Sequence, residues 1–364
     1  MLKLVQLWYT RYFSNQEAII LLLLLVVGFS VVLSMGVPLA PVLTAIVLAY
    51  LLQGAVNFLI KSGVPRMPSI VLSYMLFLTM LGAFLFVLVP LTWGQLIRLI
   101  KEQMPMMINQ ANEQLIKLPE QYPEFVSEEW VAEITVLTTT ALKDVVETVL
   151  TFSFANIPNL MAVLIFLVLV PLLVFFFLKD KDEMIGWFTG FLPDDRPFIR
   201  KVTQEMDEQI SNYVRGKAIE ILVVGVATYI GLVIFGVNYS ALLGLLVGLS
   251  VVIPYIGAAV VTVPVALVAY FQFGWGGEFF WVMMVYGIIQ GLDGNLLVPL
   301  LFSEAVNLHP VAIITSVLLF GGMWGVWGVF FAIPLATLVK AVMSAWPRLE
   351  TPSDGVGTDW LEEE

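Results

Sequence analysis

Along this chain, runs of about 20 apolar residues alternate with short polar segments, and a run of that length crosses about 30 Å of hydrocarbon as a helix. Residues 18–35, 38–60, 69–93, 157–178, 219–236 and 279–301 form such runs. Gly36-Val37 leaves room for only a very short turn between the first two. Ser14-Asn15-Gln16-Glu17 ahead of the first run has the spacing of a capping box. That run is too long for the apolar part of a signal peptide, and no small-x-small cleavage site follows, so it reads as a retained anchor. Lys179-Asp180-Lys181-Asp182-Glu183 stops the fourth run, which Pro158 opens.

Residues 240–273 and 311–342 are also apolar, but each is interrupted in the middle. Pro254-Tyr255-Ile256-Gly257 breaks the first; Gly321-Gly322, Gly325 and Gly328 break the second around two tryptophans. Each half is about 13–17 residues, roughly 20–25 Å of helix, which is short for a crossing. Two short helices joined by a Gly/Pro break suit a re-entrant hairpin, and paired broken segments point to a transporter's substrate site. Two long tilted helices with glycine kinks are the alternative. Pro254, Tyr255, Gly257, Gly322, Gly325 and Gly328 are the candidate hairpin tips or gates.

Composition agrees with the pattern: 60% of the 364 residues are hydrophobic and 12% charged, and mean hydropathy is +0.94. A net charge of -11 argues against a nucleic-acid partner. The chain has no cysteine and one histidine, which leaves no disulfide, no thiolate site and no multi-histidine zinc site. No phosphate loop is present, since Ser211 stands where a Walker glycine would precede Gly216-Lys217. No metal site, cofactor or enzymatic motif is expected.

All lysines and arginines except Arg98, Lys101, Lys117 and Lys143 fall on one side of the membrane when the runs are threaded through it. Basic residues concentrate in the cytoplasm, so both termini are expected there. Residues 94–156 then face outward as a helical arm bent near Pro105, turning at Pro119 and Pro123, and returning as an amphipathic helix. An arm of this size cannot bury its apolar stripes alone, so it is expected to pack on other helices, such as those of a neighbouring subunit. Residues 179–217 include a second amphipathic helix, with Ile199, Val202, Met206, Ile210 and Val214 on one face. It reads as an interfacial helix or as a lever coupling the fifth span to the fourth.

Ionisable residues inside apolar runs are costly and mark function. Asp293 stands inside the sixth run, in Gln290-Gly291-Leu292-Asp293-Gly294-Asn295. Gln290 and Asn295 add amide oxygens, and oxygen ligands suit a hard cation. A carboxylate in such a setting can also exchange a proton; a structural helix cap is the alternative. His309, before Pro310, reads as a capping or loop histidine, with a proton relay as its second reading. Glu220, beside Arg215 and Lys217, most simply pairs locally, and Glu304 reads as an interfacial charge. Gly244 and Gly248, Gly287 and Gly291, and Gly321 and Gly325 have the spacing of tight helix contacts.

Tyr213-Val214-Arg215-Gly216-Lys217, Ile253-Pro254-Tyr255-Ile256-Gly257, Asn295-Leu296-Leu297-Val298-Pro299 and Leu308-His309-Pro310 together resemble the autoinducer-2 exporter family of bacterial membrane permeases. The resemblance spans nearly the whole chain. Ser303-Glu304 depart from it where a glycine is usual, and Lys217 stands where a glutamine is common. The resemblance implies a secondary transporter, with signal-molecule export in some members and sodium or lithium exchange for protons in others. It also implies homo-oligomers, with a pentamer as the candidate number.

The expected fold is an all-α polytopic membrane protein with about six full spans, two broken re-entrant hairpins and an outward amphipathic arm. Its expected parts are residues 1–93 (three spans), 94–156 (arm), 157–178 (fourth span), 179–217 (cytoplasmic amphipathic segment), 218–345 (transport core) and 346–364 (acidic disordered tail). The expected function is coupled transport of a small cation against protons through Asp293, Asn295, Gln290 and His309 in a bacterial inner membrane. Export of a small organic signal, a non-transporting oligomeric scaffold and a passive channel are the alternatives. The lipid bilayer, the transported ion or solute and further copies of the chain are the expected partners.

Overall fold

Backbone amides in hydrocarbon have no water to bond, so a chain this apolar satisfies them within helices. The computed structural model describes residues 16–121, 126–154, 157–193, 195–302 and 308–346, and among these no strand is present. Lys3, Arg11, Ser14, Asn15, Pro123, Glu304, Arg348 and nearly all of the tail lie outside the described residues.

Helix α1 is Gln16–Lys61. The turn expected at Gly36-Val37 is helical instead. Pro38 removes one helical donor, but unwinding the turn would expose several, so the helical run continues. Next come α2 (Arg66–Ala83), α3 (Val89–Arg98) and α4 (Met104–Gln121). They are joined by π turns at Phe84–Leu88 and Leu99–Gln103, so no loop separates the third span from the arm. The arm returns as α5 (Glu128–Phe154), and α6 is Ile157–Lys179. A short α7 (Lys181–Thr189) leads to α8, Pro197–Ile234. The remaining helices are α9 (Ser240–Ser250), α10 (Ile256–Phe273), α11 (Gly277–Leu292), α12 (Val298–Phe302) and α13 (Pro310–Ala345). A third π turn, Asp293–Leu297, joins α11 to α12. Among the described residues eight helical segments are long and apolar enough to cross a membrane, two of them within α1.

The three π turns have one cause. Pro90, Pro105 and Pro299 each follow a π turn by two residues. Proline cannot donate to the carbonyl four residues back, and its ring crowds that carbonyl. Phe86, Lys101 and Asn295 are those residues, and each is the middle residue of its widened turn. One extra residue per turn relieves the clash and keeps the helix going. Pro171 and Pro264 sit inside helices without this response.

The chain forms two compact units. The smaller draws on Met1–Ala40, Lys181–Ser211 and Val306–Glu364. Its core joins Ala18 and Leu21 of α1, Phe198, Ile199, Val202 and Met206 of α8, and Ala341 of α13. The apolar face of residues 197–211 therefore packs on protein, which replaces the expectation of a helix lying on the membrane. Glu17 Oε2 accepts from the N–H groups of Phe198 and Ile199 at 3.0 and 3.4 Å, so it caps α8. In α7, Trp187 and the nearby Phe188 and Phe191 stack edge to face and are exposed, as suits a membrane–water boundary.

The larger unit draws on Pro41–Asp180 and Asn212–Ala305. Ala45, Ala49, Leu52 and Val56 of α1 pack with Ile70 and Phe77 of α2 and Val170, Val174 and Leu178 of α6. A second core joins Val224 and Leu232 of α8 to Leu243 and Val247 of α9, Val261, Val265 and Val268 of α10, and Val282 and Tyr286 of α11. Met107 of α4 belongs to the same core, and Gln95 Oε1 accepts from the N–H of Leu242 at 2.8 Å. The base of the arm is thus anchored on its own chain, and its two helices α4 and α5 pack on each other.

Candidate functional site

Both expected breaks contain a sharp reversal. In α13, Gly325 has φ 60° and ψ −137°, outside any helix. A Cβ on Gly328 would lie 1.8 Å from the carbonyl oxygen of Phe320, although residues eight apart in a straight helix are about 12 Å apart. The chain therefore folds back there. A Cβ on Gly257 would likewise lie 1.8 Å from the Ser250 carbonyl oxygen, so both reversals demand glycine where the chain passes closest to itself. Gly322 meets nothing within 4 Å.

Tyr255 forms the tip of the first reversal. Its φ is 63° and ψ −49°, and the N–H of Ile256 donates to the Pro254 carbonyl at 2.7 Å. This is a γ-turn with positive φ, a conformation that costs a non-glycine residue of order 1–3 kcal/mol. The Tyr255 side chain is 62% exposed, so packing of that side chain is not what holds the turn. Glycine contacts lock the base instead. A Cβ on Gly248 would meet the Ile221 carbonyl oxygen at 2.7 Å and Gly225 Cα at 3.0 Å, so α8 and α9 touch backbone to backbone. Of the paired small residues, Gly244 and Gly248 make a helix–helix contact, whereas Gly287 and Gly291 face open space.

Asp293 opens the third π turn, and that turn follows from Pro299. Its Oδ1 is buried and has no hydrogen-bond partner among the described residues. The same holds for Gln290 Nε2, one helical turn earlier. A buried acceptor and a buried donor stand side by side on the helix with neither used. Most buried polar groups in folded proteins are bonded, so such a pair marks a place for a water, an ion or a ligand. Asn295 is not part of this opening: its Nδ2 donates to the Gly291 carbonyl at 2.8 Å and its side chain is otherwise exposed.

Lys217 and Glu220 are 5% and 2% exposed, and Lys217 Nζ donates to Glu220 Oε2 at 2.7 Å. The pairing is local, as the spacing suggests; the depth of burial is the part that sequence reading missed. Lys217 Nζ also donates to the Val251 carbonyl at 2.7 Å and lies 5.2 Å from the Phe302 ring centroid. Asp293 is within electrostatic reach of both Lys217 and Glu220. Lys217, Glu220, Gln290 and Asp293 all belong to the larger unit. Buried Arg215 Nε has no partner among the described residues, and Arg215 lies against Gly54 of α1.

His309 belongs to the smaller unit. Its Nδ1 accepts from the N–H of Val311 at 3.2 Å and its side chain is exposed, the geometry of a helix cap at the start of α13. No group of three or more metal-ligating side chains occurs among the described residues. An apolar cavity of about 300 Å³ opens between α8 and α9, lined in part by Leu88, Leu91, Leu222, Val226, Tyr229 and Leu245.

Comparison with known proteins bears on this arrangement. The family model described as AI-2E family transporter matches residues 18–348. PerM of Escherichia coli (strain K12), a permease by name, is 49% identical over 347 residues, covering 95% of this chain and 98% of that protein. YrrI of Bacillus subtilis (strain 168), named as a transport protein, is 27% identical over 315 residues, covering 85% of this chain and 87% of that one. YueF of the same organism, also named as a transport protein, is 28% identical over 309 residues, with 83% and 82% covered.

Proposed function

The chain belongs to the AI-2E transporter family, and from that membership we propose that it is a secondary permease that exchanges a small monovalent cation for protons at Asp293. The observation that carries this reading is the pair of unused buried groups, Asp293 Oδ1 and Gln290 Nε2, on one turn of a membrane-length helix. A carboxylate oxygen binds a proton or a small hard cation, but not both at once. The Gln290 amide donor orients the carboxylate or a bound water. The π turn set by Pro299 gives Asp293 its direction, because one residue added to a turn rotates the rest of the helix by about 100°. Lys217 and Glu220, in electrostatic reach, bias which occupant is held.

The two reversals act as gates in this reading. Each is a re-entrant hairpin in the membrane, and the strain at Tyr255 gives the first tip a second conformation to relax into. The protein sits in a bacterial inner membrane with both termini in the cytoplasm. It assembles with its own kind through the arm, whose Ile116, Val136 and Leu137 remain exposed at 62%, 64% and 60%. Deleting residues 105–150 is expected to lower the mass of the particle in mild detergent and leave the spans inserted; an unchanged mass moves the interface into the spans.

Export of a small organic molecule is the second reading, favoured by the apolar cavity between α8 and α9. Purified protein in liposomes separates the two. With an imposed proton gradient, sodium or lithium flux that collapses when the gradient is collapsed supports exchange. Organic-solute efflux with no dependence on either cation supports the second reading, and flux of neither kind leaves the scaffold.

A further inference from the structure

One buried charge supplies no ligand to the exchange at Asp293. The Lys217 ammonium is held by the Glu220 carboxylate and the Val251 carbonyl, each at 2.7 Å, over the face of Phe302. Val251 caps the C-terminal end of α9, where helix carbonyls carry partial negative charge. A carboxylate, a backbone carbonyl and an aromatic face are what a small monovalent cation selects as neighbours. The sequence makes room for this arrangement: a Cβ on Gly216 would lie 2.6 Å from a Phe302 ring carbon, so glycine is needed for the ring to lie where it does.

We propose that the Glu220 carboxylate and the Val251 carbonyl form a site for a free monovalent cation, and that the Lys217 ammonium is a tethered competitor occupying it. The proposal goes beyond the exchange at Asp293: its ligands are different groups, and its test requires no transport. When the tether is removed, the buried Glu220 carboxylate takes up a proton or a replacement cation. A free sodium, lithium or potassium ion is small enough to take the ammonium's place between the two oxygens. In the native chain the cation binds more weakly, because it must first displace Lys217.

The test is thermal unfolding of the full chain in mild detergent. Sodium, lithium and potassium chloride are each titrated against N-methyl-D-glucamine chloride at constant ionic strength. Lys217→Gln and Lys217→Ala are compared with the native chain and with the double variants that add Glu220→Gln. Expected is a saturable rise in the unfolding midpoint with at least one of the three ions in a Lys217 variant. Its half-saturation should lie at least about tenfold below that of the native chain, and the rise should vanish in the double variant. Midpoints that ignore all three ions overturn the proposal, as does an equal rise with and without Glu220. If both single variants fail to fold in every ion tested, that also overturns it, because a site open to a free cation would restore the missing charge. Loss of proton-coupled flux in an Asp293 variant leaves these outcomes untouched, so the two readings fail separately.

Discussion

Two polar places in the larger unit solve burial in opposite ways. At Lys217 and Glu220 the charges are opposite and bonded to each other, and the Lys217 ammonium donates again to the Val251 carbonyl. At Gln290 and Asp293 a donor and an acceptor are buried and left without a partner among the described residues. The first arrangement is complete without a ligand, and the second is not. A buried pair that satisfies itself is costly to break. An unsatisfied group already bears its cost, so removing it should relieve the fold while removing function. Stability and transport should therefore respond to the two places in opposite order.

The largest effect is expected at the satisfied place. Glu220→Ala leaves the Lys217 ammonium without its carboxylate and should lower stability by about 3–5 kcal/mol. Asp293→Ala should change stability by no more than about 1 kcal/mol, in either direction. Denaturation of both variants in the same mild detergent checks the difference. Equal losses would erase the distinction between the two places.

A smaller effect is expected from Pro299→Ala. Without proline the α pitch can return, and Asp293 turns by about 100° relative to the residues after the turn. Stability should stay level or rise by up to about 3 kcal/mol, while coupled flux falls about 10-fold to 100-fold. Intact flux in a stabilised variant would show that the π turn does not aim the carboxylate.

The smallest effect is expected at the strained tip. Tyr255→Gly removes the positive-φ penalty and should raise stability by about 1 kcal/mol. It adjoins the turn that carries the Val251 carbonyl, so it tests whether the satisfied place depends on that strain. A loss of stability would mean that the exposed Tyr255 ring holds a contact in the assembled protein.

Much of this was legible along the chain. Hydropathy alone marks the spans, because a crossing helix must be apolar over its full length. The reversals were legible from Pro254 to Gly257 and from Gly321 to Gly328, since only glycine tolerates the close approaches at Gly257 and Gly328. Asp293 stood out as an acid in an apolar run, and His309 as a cap before Pro310. The continuity of α1 through Gly36-Val37 was not legible: local turn signals favour a break there, and only the cost of exposing backbone to lipid outweighs them. Lys217 read only as a local partner of Glu220, because what buries it comes from far away, namely Val251 and Phe302. The π turn at Asp293 did leave a signal, Pro299 four residues after Asn295, and Pro90 and Pro105 repeat it. Asn295 looked like a ligand from its neighbours, but its amide is spent on Gly291.

The exchange at Asp293 is tested most directly by Asp293→Asn in liposomes, because the substitution keeps the shape and removes the titratable charge. Sodium or lithium flux driven by a proton gradient is measured for the native chain, for Asp293→Asn and for Asp293→Glu, with oligomer size checked in each. The account expects flux in the asparagine variant to fall to that of protein-free liposomes, with size unchanged, and the glutamate variant to keep part of its flux at a shifted pH optimum. Coupled flux in Asp293→Asn equal to that of the native chain would contradict it.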